Sequence, residues 1–208
     1  MRPLAFAATA VLAVLAVLAV LVAIPASLSA QWSVGLSVGV ARHFGGAVST
    51  ADSEPGSVHP GRPTMVTLSL GREWGGGTVR ADLGLGYGSP GLAVEIPGGA
   101  FIDTKALHFY SGSPEITVRV LPIGSGGALR AGVGGDVLIW SITGSGSRVR
   151  LGSHLTAAYE WPVAGRFLGS IQAGLSLTPS IFDASELETP FERRAMVRPS
   201  VSIGLRYH

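Results

Sequence analysis

Gln31-Trp-Ser-Val-Gly-Leu-Ser-Val-Gly-Val-Ala41 sets Trp32, Val34, Leu36, Val38 and Val40 on one parity and Ser33, Gly35, Ser37, Gly39 and Ala41 on the other. Side chains two residues apart share a strand face, so one face is aliphatic and the other is small. A period of two argues for a strand and against a helix. The last segment repeats it, with Val197, Val201, Ile203, Leu205 and Tyr207 against Arg198, Ser200, Ser202, Gly204 and Arg206.

Composition decides which solvent touches which face. A soluble sheet buries its apolar face and covers the other with charge. Here Asp, Glu, Lys and Arg make up only 13% of the chain, the mean hydropathy is +0.43, and the second face is mostly Gly and Ser. With the faces exchanged, the Val, Leu and Ile rows meet lipid and the small residues line a narrow interior, as in a transmembrane barrel. The soluble alternative, a lipocalin-like carrier of a hydrophobic ligand, needs the apolar rows turned inward and a charged exterior.

The first thirty residues read as a secretory signal peptide: Arg2, an apolar run from Leu4 to Ile24, then Pro25 and the small residues Ala26, Ser27, Ser29 and Ala30. Cleavage is expected after Ala30, or after Ser29. A retained membrane anchor is the competing reading of that run. Residues 31–208 then form one barrel domain delivered to the bacterial outer membrane. The chain has 15 basic and 13 acidic residues, too small an excess to argue for nucleic acid, and no cysteine, so no disulfide framework supports the fold.

Strand-like segments fall at about 31–42, 63–73, 78–88, 106–121, 128–142, 148–161, 166–179 and 195–207. The connectors near 73–77, 121–127 and 161–166 are short, whereas 43–62, 89–105 and 180–194 are long, the asymmetry of periplasmic turns and external loops. The expected fold is all-β, an eight-stranded antiparallel up-and-down transmembrane barrel. Trp32, Trp161, Phe167 and Tyr207 on one side, and Tyr87 on the other, are the expected aromatic girdle; Phe109 and Tyr110 map with Tyr87.

On strand count, loop asymmetry and the closing segment Arg198-Pro-Ser-Val-Ser-Ile-Gly-Leu-Arg-Tyr-His208, the chain resembles the small eight-stranded outer-membrane barrels, the OmpX-like group that includes the OmpA transmembrane domain. The tail is similar to that group's assembly signal, but His208 follows the terminal aromatic. The resemblance implies contact with outer-membrane lipid and lipopolysaccharide, and with the barrel-assembly machinery during insertion. It assigns no activity, because similar members include anchors, adhesins and lipid-modifying enzymes.

By strand parity, Arg80, Asp82, Glu115, Arg119, Arg130, Asp136, Arg148, Arg150, Glu160, Arg198 and Arg206 point inward, and only Arg42 and Arg72 fall on the lipid parity. The inward glycines 84, 86, 132, 134, 152, 174 and 204 leave volume for long side chains from neighbouring strands. We expect a plugged interior in which Asp82, Glu115 and Asp136 pair with Arg80, Arg119, Arg130 and Arg150, since buried unpaired charge is costly. The function expected is non-enzymatic, structural or surface-contacting, without cofactor, metal or catalytic residues; the ligand is unknown. The enzymatic alternative is an outer-leaflet lipid-modifying acyltransferase or deacylase using His43, Ser49 and Asp52 of the first long loop, with His59 nearby. His154 and Thr156 share the inward face and Ser153 the opposite one. The last loop is acidic, with Asp183, Glu186, Glu188 and Glu192.

Overall fold

The computed structural model describes residues 31–50, 56–96, 98–144, 146–183, 187 and 191–208; the signal-peptide reading of residues 1–30, and Asp52, Glu186 and Glu188, lie outside them. The described chain is a single antiparallel sheet of twelve strands: β1 (Gln31–Ala41), β2 (Phe44–Ser49), β3 (Ser57–Pro60), β4 (Thr64–Trp74), β5 (Val79–Gly88), β6 (Leu92–Ile96), β7 (Gly99–Asp103), β8 (Leu107–Ile123), β9 (Gly127–Ile142), β10 (Gly146–Ala164), β11 (Phe167–Thr178) and β12 (Phe191–Tyr207). Their order is β1-β4-β5-β8-β9-β10-β11-β12-β2-β3-β6-β7, and β1 also pairs with β12. Among the described residues no helix is long and apolar enough to cross a membrane.

The expectation of eight strands is therefore corrected to twelve. The eight spans read from the sequence fall on β1, β4, β5 and β8 to β12, and the additional four strands come from 43–62 and 89–105, which the sequence reads as loops. Each continues the line of a longer neighbour across a break. β1 pairs with β4 and the end of β12, and β2 takes up the rest of β12 after Arg42 and His43. β3 likewise precedes β4 across Gly61–Pro63, and β6 follows β5 across Ser89–Gly91. Backbone bonds join the breaks, Ala41 N to Pro63 O at 3.2 Å and Gly61 N to Gly91 O at 3.1 Å.

Chemistry explains why these strands escape a pattern search. Pro60, Pro63 and Pro90 withdraw N–H donors from the ladder. Gly45 and Gly46 sit at φ of 92° and 107°, a region L side chains avoid, so the chain changes direction there and the alternation loses phase.

The long strands are apolar outside. Val34, Leu36, Val38, Leu68, Ile116, Leu155, Ile203 and Leu205 are all exposed, while Arg80, Arg130 and Asp136 on the opposite parity are buried. At the end of the sheet away from the chain's last residue the polarity inverts within single strands. Phe109, Leu138, Trp140 and Met196 have the same inward parity as Glu115, Asp136 and Arg198, yet they form a dry cluster with Leu107 and Ile181. Phe109 belongs to this cluster and not to an outer aromatic band; its neighbour Tyr110 faces out, as consecutive strand residues must.

Candidate functional site

The interior between the long strands holds a polar cavity of about 180 Å³, walled by residues of β1, β4, β5 and β8 to β12. Two groups of charges and one lone carboxylate border it. The first lies towards the chain's C-terminus and the tight turn at Gly75–Gly77. Arg80 donates from Nε to Asp82 Oδ2 at 2.6 Å and from Nη1 to Glu160 Oε1 at 2.7 Å and Glu73 Oε1 at 3.2 Å. Arg130 donates to Glu160 Oε2 at 2.7 Å, to Glu73 Oε1 at 3.3 Å and to the Gly77 carbonyl at 2.6 Å. Arg206 donates from Nη1 to Asp82 Oδ1 at 2.8 Å and to Ser33 Oγ at 2.8 Å. Three guanidinium groups thus meet three carboxylates with no net charge, the condition under which ionised groups tolerate burial. His208 lies 3.9 Å from Glu73 Oε2; burial holds its imidazole below the ordinary range against that carboxylate.

The second group lies further along the interior. Asp136 takes a hydrogen bond from Ser113 Oγ at 2.7 Å, faces His154 Nδ1 at 3.0 Å, and is bridged by Arg198 Nη2 at 3.2 Å. Arg198 also donates to Ser176 Oγ at 3.1 Å and lies over the Phe109 ring, 5.6 Å from its centroid. Glu115 accepts from the Thr156 hydroxyl and has no salt bridge among the described residues.

The inward glycines set these positions. A Cβ on Gly132 would meet the Glu115 carboxylate and the Thr156 hydroxyl, and one on Gly134 would meet the His154 ring at 2.5 Å. Each long side chain therefore occupies the space its neighbour's missing Cβ leaves.

The charges read from the sequence are distributed unevenly. Arg80, Asp82 and Arg130 join the first group and Asp136 the second. Arg119 keeps the inward register, opposite Arg130, but does not join the buried charges: its side chain is exposed and donates to the Gly76 carbonyl of the tight turn at 3.1 Å. Arg150 reaches the rim, bonding Asp183 at 2.7 Å and the Ser180 carbonyl at 2.7 Å. Sequence reasoning passed over Glu73, set at the end of a connector, and the pairing of His154 with Asp136. Glu73 shares the parity of Ser69 and Gly71, which was the available signal.

Trp32, Tyr87, Phe167 and Tyr207 are exposed on the outward face, and Trp161 is half-buried beside Tyr159, with ring centroids 5.6 Å apart. Phe167 and Tyr207 are register partners at 5.2 Å. Arg72 is buried over two rings, 5.5 Å from the Trp32 centroid and 5.6 Å from that of Trp74.

Of the loop residues of the enzymatic alternative, the described ones, His43, Ser49 and His59, are not brought together as a site. His43 is buried, with Nδ1 3.0 Å from the Gly61 carbonyl and its ring edge-on to Trp140. Burial holds its pKa at about 4. Ser49 lies at the far end of β2, and His59 bonds the Pro60 carbonyl at 2.9 Å. Among the described residues no group of three or more His, Asp and Glu is placed to hold a metal ion.

No family model and no curated relative matches the sequence. Solved structures do. Neisserial surface protein A (NspA) is similar at 11% identity over 86% of this chain and 97% of its own, with a TM-score of 0.56. Ail, the attachment invasion locus protein of Yersinia pestis, aligns at 13% identity over 85% of this chain and 98% of its own, with a TM-score of 0.42. The fold is thus similar to that of NspA, and the narrower resemblance to an eight-stranded group is corrected by the twelve strands.

Proposed function

We propose that this chain is a non-enzymatic protein of the bacterial outer membrane whose long strands cross the bilayer and whose outer strands make surface contacts. One observation carries the reading: over the long strands the aliphatic rows face out while arginines and carboxylates are buried within, the reverse of a water-soluble sheet. A lipocalin-like carrier requires the opposite orientation. The inversion at Phe109, Leu138, Trp140 and Met196 marks the depth where lipid gives way to water, because only there does an inward apolar cluster gain from burial. The fold similarity to NspA is consistent with this reading.

In this reading residues 1–30 are the cleaved leader, the barrel-assembly machinery inserts the mature chain, and lipopolysaccharide surrounds its outer half. The interior charges hold the strands together and do not form a pore, since the apolar cluster caps the cavity at one end. Membrane fractionation with heated and unheated electrophoresis in detergent tests the location, and planar-bilayer recording tests the capped interior. The expected results are an outer-membrane fraction, a mobility that changes on boiling, and no conductance steps. A soluble periplasmic pool, or stable channels from the purified chain, would overturn the corresponding part.

A further inference from the structure

The interior charges do not balance as side chains alone. Among the described residues, five carboxylates, Glu73, Asp82, Glu115, Asp136 and Glu160, face four guanidinium groups, Arg80, Arg130, Arg198 and Arg206. Every carboxylate of that set except Glu115 is bonded to a guanidinium; Glu115 meets the Thr156 hydroxyl. Its register partner on β5 is Asp82, a second carboxylate, which adds repulsion. On its other side it pairs with Gly134 of β9, and Gly134 pairs in turn with His154 of β10. The missing side chain lets the His154 ring fold over Gly134, with Nε2 2.5 Å from where a Cβ would stand, while Nδ1 faces Asp136 at 3.0 Å. Nε2 has no hydrogen-bond partner among the described residues, and Glu115 and His154 both line the polar cavity. β1 and β11 present no charged group to that cavity. Arg148 and Arg150 are engaged at the rim with Asp183, and Arg119 and His208 lie at the opposite end, by the Gly76 carbonyl and Glu73.

We infer that the interior binds one proton, carried by His154 as an imidazolium between Asp136 and Glu115, and that this proton supplies the fifth positive charge. In that state each ring nitrogen donates, Nδ1 to Asp136 and Nε2 into the cavity towards Glu115. Removing the proton leaves Glu115 as a buried anion without a counter-charge, the arrangement that burial penalises most. The apolar cluster closes one end of the cavity and the arginine and carboxylate group borders the other, so a metal cation would have to shed its water and pass guanidinium groups. A proton travels along hydroxyls and water instead. The inference goes beyond the membrane reading and does not depend on it, since the charge count concerns only groups inside the sheet.

The test is nitrogen NMR of the folded protein in detergent micelles, with its histidines labelled in the ring. The chain has five histidines, and the signal missing from H154Q identifies His154. At neutral pH the wild-type ring is expected to show both nitrogens protonated, and in E115Q, where four carboxylates already balance four guanidiniums, a neutral ring protonated at Nδ1. In urea titrations H154Q should lower the folding constant at least about tenfold, and H154Q/E115Q should regain most of that loss because the stranded charge is gone. Heat-modifiable mobility checks that each variant is folded, and the wild-type spectrum decides the charge state even where a variant fails. A neutral His154 ring in the wild type overturns the inference. A ring still doubly protonated in E115Q, or a double variant no more stable than H154Q, overturns the coupling to Glu115.

Discussion

Replacing Glu160 with alanine is the sharpest probe of the interior. Glu160 is 5% exposed and accepts from both Arg80 and Arg130 at 2.7 Å; without it these guanidiniums, 4% and 3% exposed, keep Glu73 at 3.2 and 3.3 Å, and Arg80 also keeps Asp82. The first group passes from three charges of each sign to an excess of one buried cation. Breaking a buried pair from one side costs about 3–5 kcal/mol, most of it the penalty of the stranded charge. E160A should therefore lose about that much stability in urea titrations of the micelle-folded protein, read by heat-modifiable mobility. R130A/E160A, which restores neutrality, should lose at least about 1 kcal/mol less than the two single variants together. A loss below about 1 kcal/mol for E160A would refute the reasoning, because it would mean that water already solvates these charges.

Two further outcomes follow from local geometry. G132A should cost about 1–3 kcal/mol by overpacking Glu115 and Thr156, whereas G135A, whose new Cβ would lie 3.7 Å from the Gly152 carbonyl oxygen, should be within about 0.5 kcal/mol of wild type in the same titration. Stability should also fall on acidification through His43. Its pKa is about 4 folded and 6.5 unfolded, so between those values the unfolded chain binds more protons. That contribution is complete above pH 6.5 and is lost as the pH drops towards 4, by about 3 kcal/mol; H43Q should flatten this slope, and an unchanged slope would show that another group carries it.

Much of this was legible because alternation is a local signal. Trp32 to Val40 and Val197 to Tyr207 declare both the strand and its greasy face, and the same parity turns Arg80, Asp82, Arg130 and Asp136 inward. Partnership was not legible, since it depends on register and side-chain reach. Asp136 meets Arg198 across 62 positions of sequence, and Arg119, though on the inward parity, reaches the Gly76 carbonyl of the turn instead of the buried charges. The outer strands were hidden by Pro60, Pro63 and Pro90, which interrupt the pattern without ending the sheet. The polarity inversion was present in the letters: Phe109 shares parity with Ser111, Ser113 and Glu115, a row too mixed for one solvent throughout.

The central claim is that the outward rows meet acyl chains. The chain contains no cysteine, so single substitutions at Leu36, Leu155 and Ile203, with Ser147 in the β9–β10 hairpin as a water-exposed reference, give unambiguous reporters. Nitroxide labels at the three aliphatic sites, in protein reconstituted into liposomes, should collide readily with oxygen and be shielded from a water-soluble nickel chelate, with the reverse at Ser147. Equal access of the chelate to all four positions would contradict the claim.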